Sequence, residues 1–191
     1  MKKTALILII GIILNAGLTA QEYIKYPLKT GSVTYTLSMM GADNTIMLYF
    51  DNSGNTQCSN VEMEVFGMKV HTRNIIKNNI SYALDMTQKT YTETQLSKED
   101  LQKMGTYLTD ENAANTEGIE KVGEETIMDK TCQIYKMTKD GAEIKFWSWK
   151  GLMLKMESNM QGMSMNMKAT AISESAPDQS LFEIPSDFTK N

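Results

Sequence analysis

Between residues 32 and 172, apolar and polar side chains change places with a period of two, the spacing of strands that bury one face. Val33, Tyr35, Leu37 and Met39 share a face of Ser32–Met40, the first predicted strand. Gly41-Ala42-Asp43-Asn44 reads as a turn, and Ile46, Leu48 and Phe50 share a face of the next strand, Thr45–Phe50. Asp51–Asn55 is a strong turn signal. Gln57–Phe66 follows, with Val61, Met63 and Val65 on one side and Glu62 and Glu64 on the other. Met68–Ile76 continues that strand or pairs with it, and Ile80–Met86 and Thr90–Thr94 are joined by a turn at Thr87–Lys89.

One segment breaks the alternation. Ser97 can cap a helix over Ser97–Met104, with Glu99 and Asp100 where acids meet the positive end of the helix dipole and Gly105 at its close. Asp110–Gly118 is polar and reads as a loop or a weak helix. Strands then resume at Ile119–Met128, Cys132–Thr138 and Ala142–Lys150, turning at Asp129-Lys130 and Lys139-Asp140-Gly141. Ile144 and Phe146 face one way, Trp147 and Trp149 the other. Leu152–Ile172 reads as a hairpin turned within Ser158–Gly162. Leu152, Leu154 and Met156 share a face of its first arm; Met163, Met165, Met167, Ala169 and Ala171 share a face of its second. In Pro177–Pro185, Leu181, Phe182 and Ile184 read as an edge segment that plugs apolar surface. Strands recurring every 10–12 residues or so, with one or two helices, predict a mainly β domain with a small α component. The expected form is a strongly curved antiparallel sheet or open barrel with a small cover of one or two helices.

The N-terminus sets the expected compartment. Lys2 and Lys3 precede the apolar run Ala5–Leu14, and Asn15–Ala20 is small and polar apart from Leu18. That is the order of a secretory signal peptide, and the run is short of the roughly 20 residues of a membrane span. Cleavage is expected between Ala20 and Gln21. The expected product is a single domain over residues 21–191, exported to the periplasm of a Gram-negative bacterium, or extracellular or outer-membrane associated. It carries 17 basic and 23 acidic residues, net charge −6, with no basic run. That excludes nucleic acid as an expected partner. A monomer is expected, in transient contact with the cell envelope.

Two cysteines, Cys58 and Cys132, leave two readings in an exported chain: one disulfide between them, or two buried thiols. The bridge is the expectation carried forward.

Short segments in a fixed order resemble the bacterial lipoprotein-carrier superfamily, the LolA/LppX-like group, and its exported families of unknown function. They are G-S-V-T-Y at Gly31–Tyr35, I-M-L-Y-F-D-N-S-G at Ile46–Gly54 and K-V-G-E-E-T-I-M-D-K-T-C-Q-I-Y at Lys121–Tyr135. F-W-S-W-K-G-L-M-L-K at Phe146–Lys155 and D-Q-S-L-F-E-I-P at Asp178–Pro185 complete the set. The resemblance implies an unclosed half-barrel with helices over its concave face, and a cavity for the acyl chain of a lipid or lipoprotein. No cofactor is implied.

The methionine-rich face admits three readings: ordinary core, an adaptable apolar cavity, or a soft-metal site, since thioethers suit Cu(I). Alternate residues of one strand lie nearly 7 Å apart. Met163, Met165 and Met167 therefore need a methionine from a neighbouring strand to converge on an ion, and no metal is expected. The candidate ligand contacts are Leu37, Met39, Leu48, Met63, Leu154, Met156, Met163, Met165 and Met167. His71, the chain's one histidine, reads as an ordinary polar strand or loop residue, and Glu124-Glu125 as solvated surface. Trp147 and Trp149 read as packing, or as a cavity rim or membrane-contact site. No H-E-x-x-H, G-x-S-x-G or phosphate-cradling glycine loop is present, so a binding protein is expected rather than an enzyme.

Overall fold

The computed structural model describes residues 25–39, 41–65, 68–97, 100, 118–139, 142–160 and 163–191, with the backbone alone at 65, 68, 139, 142, 160 and 163. The expected signal peptide with its Ala20–Gln21 cleavage site, the Asp110–Glu117 loop and all but Ser97 and Asp100 of the expected helix lie outside the described residues. Among those described, one sheet holds β1 (Gly31–Met39), β2 (Ala42–Asp51), β3 (Thr56–Val65), β4 (Met68–Lys77), β5 (Ile80–Asp85), β6 (Thr90–Gln95), β7 (Ile119–Ile127), β8 (Lys130–Lys139), β9 (Ala142–Trp149), β10 (Leu152–Met160), β11 (Met163–Ser173) and β12 (Thr189–Lys190). Their order is β12-β6-β5-β4-β3-β2-β1-β11-β10-β9-β8-β7. Two meanders, β1 to β6 and β7 to β11, join where β1 pairs with β11. All pairs are antiparallel except β12 on β6. The sheet is curved and does not close, which is the expected open half-barrel.

Local sequence sets the hairpins. Asn78-Asn79, Met128-Asp129 and Lys150-Gly151 all take positive φ. This is the two-residue turn whose twist matches the paired strands. Asn, Asp and Gly tolerate that backbone, whereas Met128 (φ 49°) and Lys150 (φ 47°) hold it at a cost. Alternation alone carries the strand through Met128; the turn ends it at Ile127. In the same way β2 starts at Ala42 and β10 runs to Met160, both inside the expected turns Gly41–Asn44 and Ser158–Gly162.

Between β2 and β3, Asn52–Gly54 forms a 3-10 turn that fastens the lead-in to β1. The backbone N–H groups of Lys25 and Tyr26 both donate to Ser53 O at 2.8 Å. Gly54 has φ 85°, and a Cβ there would stand 2.7 Å from both Lys25 Cβ and the Tyr26 ring. The Tyr26 ring in turn packs on Phe50, with ring centroids 4.8 Å apart.

Three bulges interrupt the registers, one of them at Val122 of β7; the other two shift the faces of β11 and β10. In β11, Thr34 pairs with Ala171 but Tyr35 with Ala169, so Thr170 is extra. Ala171 is exposed and Ile172 stands opposite Val33, which corrects the placing of Ala171 on the methionine face. In β10, Met153 faces Ser148 and Lys155 faces Trp147, so Leu154 is extra.

Three apolar clusters result among the described residues. The largest holds Val33, Tyr35, Phe50, Ile127, Cys132, Trp147, Leu152, Leu154 and Ala169, with Tyr26 beside Phe50. A second holds Cys58, Ile75 and Leu84 beneath Phe182 of the 3-10 turn Gln179–Phe182, so the C-terminal segment does plug apolar surface. The third is Tyr135 and Phe146 with Ile119, Met137, Ile144 and Met153 around them. Cys58 and Cys132 thus lie in separate clusters, six strand positions apart, and both are free thiols. The expected Cys58–Cys132 disulfide is not formed. At about 4.8 Å per strand, the sheet holds their backbones well beyond the ~7 Å limit for a bridge.

Candidate functional site: a thioether-rich sheet face

Strand register carries two apolar rows across six strands. The first row is Tyr135 (β8), Phe146 (β9), Met156 (β10), Met167 (β11), Leu37 (β1) and Asn44 (β2). The second is Met137, Ile144, Ser158, Met165, Met39 and Ala42 on the same strands. Directly opposed side chains in antiparallel strands touch, so each row is a continuous strip. Asn44 ends the first one: its Nδ2 donates to Leu37 O at 3.4 Å and its Oδ1 accepts from Glu64 N at 2.9 Å.

Burial changes along this face. Below the rows, Val33 (1 % exposed), Tyr35 and Ala169 are packed solid. Within the rows, Met39, Met137, Met156, Met165 and Met167 are only half-buried, while Tyr135, Phe146, Leu37 and Ser158 between them are buried. The reverse of the same strands is polar, with Ser38, Asn166, Glu157, Lys145 and Lys136. Lys155 there reaches Glu157 at 2.8 Å, and Lys136 reaches Glu143 at 2.5 Å. That ion pair holds Lys136 above and Glu143 below their ordinary pKa ranges.

The expected contact residues divide accordingly. Leu37, Met39, Met156, Met165 and Met167 come together in the two rows. Leu48 stands opposite Val33, lower on the same face, and packs on the main core. Leu154 is wholly buried in that core and lines no open face. Met63 lies opposite Val70, separated from Leu37 by the Asn44 strand. Met163 pairs with Met160 in the backbone register, and its side chain lies outside the described residues. Tyr135, Met137, Ile144 and Phe146 belong to the rows but are not among the expected contacts. Their alternation is legible in the chain; their place beside β10 is a matter of strand order.

Other polar groups are bound up in the fold. Trp147 Nε1 donates to Glu125 Oε2 at 2.6 Å and Lys155 Nζ lies 4.0 Å from its ring centroid, so Trp147 packs and Glu125 is not simply solvated. Trp149 is flanked by Lys130 and Lys150, each Nζ 4.8 Å from the ring. His71 lies in β4, 3.2 Å from Asn60 Oδ1 and 3.6 Å from Glu62 Oε1. Burial pushes the Cys58 thiol up to about 11, against the pull of Arg73. It also raises Cys132 and holds Tyr26 and Tyr35 well above their ordinary range. Neither thiol is a ready nucleophile. Among the described residues, no three His, Cys, Asp or Glu side chains cluster to hold a metal ion, and no helix is long and apolar enough to cross a membrane.

The fold is shared with solved structures of low sequence identity. An uncharacterized conserved protein from Thermus thermophilus superposes with a TM-score of 0.59 at 8% identity, over 86% of this chain and 91% of that one. MucB in the Pseudomonas aeruginosa MucA/MucB complex gives 0.51 at 13% identity, over 83% and 56%. PNGF-II gives 0.53 at 16% identity, over 85% and 31%. This chain therefore spans about half of the MucB chain and a third of the PNGF-II chain. No curated protein matches the sequence. Residues 30–154 match the family described as "Domain of unknown function (DUF4412)", and the chain belongs to that family.

Proposed function

We propose that this is an exported, non-enzymatic protein that binds an apolar ligand, a lipid or the acyl chain of a lipoprotein, on the methionine face. The observation that carries the reading is the burial gradient. The same sheet face is packed solid at Val33 and Tyr35 yet only half-buried along Met137, Met156, Met165, Met167 and Met39. An alkyl chain laid along the rows would gain about 25 cal/mol for each Å² of apolar surface removed from water. Methionine suits that task because its unbranched, polarisable side chain adapts to varied shapes. Protein purified from its own host, extracted and examined by mass spectrometry, should release lipid, and purified apoprotein should take up a fluorescent fatty acid. Absence of both sinks the proposal.

A second reading is a periplasmic soft-metal, copper-binding protein, and the register supplies an observation for it. Met165 is opposite Met39 and Met167 is opposite Met156, so neighbouring strands bring the thioethers that one strand alone lacks. Cu(I) titration under reducing conditions separates the two readings. A Met163/Met165/Met167→Leu triple variant should lose copper and keep lipid if both sites exist. A third reading, a structural envelope or interaction protein, predicts response to neither ligand.

A further inference from the structure

Gln133 and Ser148 stand directly opposite each other in β8 and β9, one step along the strands from the Tyr135–Phe146 pair. Both belong to the face that bears the apolar rows, because Gln133 alternates with Tyr135 and Ser148 with Phe146. Gln133 Oε1 and Ser148 Oγ are buried, and neither has a hydrogen-bond partner. Ser148 is 2 % exposed. Buried polar side-chain atoms almost always have a partner, so two orphans side by side mark a place built for something else.

The surroundings say what that is. Met153, brought opposite Ser148 by the Leu154 bulge, closes one side and packs with Tyr135 and Phe146. On the other side, Glu124 stands opposite Gln133, and Glu124 Oε1 lies 3.8 Å from Lys121 Nζ. The pair thus sits at the end of an apolar strip, next to the charged edge of the sheet.

We propose that Gln133 and Ser148 form a polar seat for an uncharged hydroxyl group at the head of a single-chain lipid whose tail lies along Phe146, Met156 and Met167. The inference rests on the apolar-ligand reading above and names the ligand class within it. A hydroxyl is the group that fits two such neighbours. It donates to Gln133 Oε1 and accepts from Ser148 Oγ–H. It stays partnered if the Gln133 amide is turned over, because a hydroxyl both donates and accepts. A carboxylate has no proton to give Gln133 Oε1 and would bring an unpaired charge into a buried site. A plain hydrocarbon leaves both orphans unmet.

The test titrates the full mature chain with 1-dodecanol, dodecane and dodecanoate, by displacement of a fluorescent alkyl probe. The wild type should bind dodecanol about tenfold more tightly than dodecane, the scale of one or two neutral hydrogen bonds, with dodecanoate weaker than dodecanol. In a Gln133→Met/Ser148→Ala variant the preference for the alcohol should vanish while dodecane affinity holds, which also shows that the variant is folded. Equal wild-type affinity for dodecanol and dodecane overturns the seat and leaves the apolar-ligand reading standing; that is the result if the orphans hold a water only. An unchanged alcohol preference in the variant also overturns it. Binding of none of the three probes overturns the apolar-ligand reading and the seat with it. Should the variant not fold, the wild-type comparison decides alone.

Discussion

Met165 of β11 stands directly opposite Met39 of β1, at the line where the two meanders of the sheet meet. The two thioethers come from residues more than a hundred positions apart, and both are half-buried, in a row that also holds the buried Ser158. If that row receives an alkyl chain, its apolar character matters more than its sulfur. A Met39/Met165→Leu double variant should keep fatty-acid uptake within about threefold, because the apolar area is conserved. A Met165→Asp variant should lose uptake at pH 7, because the chain would have to desolvate a carboxylate. The reverse ranking, with Leu abolishing binding and Asp tolerated, would favour the metal reading. Fluorescent fatty-acid titration of both variants, alongside Cu(I) titration, provides the check.

The C-terminal segment is a structural part of the sheet. Phe182 covers Cys58, Ile75 and Leu84, with Ile184 and Phe188 beside it. Lys77 pairs with Glu183, and Lys89 lies 2.7 Å from Asp187, while β12 continues on the edge of β6. Phe182→Ala should cost roughly 3–5 kcal/mol, the range for a buried aromatic, read from chemical denaturation. Cys58 should then react with a thiol reagent faster than in the wild type. In the intact native protein both cysteines should be slow to react, and unfolding should release two titratable thiols without reductant.

Gly54 should tolerate no side chain. Its positive φ and the 2.7 Å approach of Lys25 and Tyr26 give two separate reasons. Gly54→Ala should destabilise by roughly 2 kcal/mol or more. Gly41 also has positive φ, but nothing lies within 4 Å of a Cβ placed there. Gly41→Ala should therefore cost about 1 kcal/mol, and the difference in melting temperature between the two variants measures the close approach.

Lys25 introduces a pH dependence. Burial against Tyr26 and Gln57 pushes its ammonium down to about 8 from the ordinary 10.5, although Gln57 Oε1 accepts its hydrogen bond at 2.7 Å. A lysine whose folded pKa lies below the unfolded one binds its proton more readily in the unfolded chain. Stability should therefore rise with pH between about 8 and 10.5. Lys25→Met should flatten that rise and stabilise the protein most at pH 7, where the wild type buries the charge. Denaturation curves of both proteins from pH 7 to pH 10.5 would show it; a parallel pH response in the two would refute the assignment.

Alternation along the chain was enough to read it as strands and, between bulges, to say which face each would bury. Val33, Tyr35 and Leu37 alternate with Ser32, Thr34 and Thr36, and a period of two has one structural meaning. The curved sheet, the plugging role of Phe182 and the methionine face were legible on that ground, and the half-barrel in the resemblance of its segments. Strand order was not, because pairing depends on which edges meet across long stretches of chain. That order set Met165 against Met39, drew Tyr135 and Phe146 into the rows, and put Cys58 and Cys132 beyond reach of each other. The bulges at Thr170 and Leu154 were equally hidden, since one extra residue is invisible to alternation until a partner strand fixes the count. They moved Ala171 off the methionine face and set Met153 against Ser148. Gln133 and Ser148 read as ordinary polar strand residues in the chain; only their meeting across β8 and β9, buried and unpartnered, makes them a candidate site.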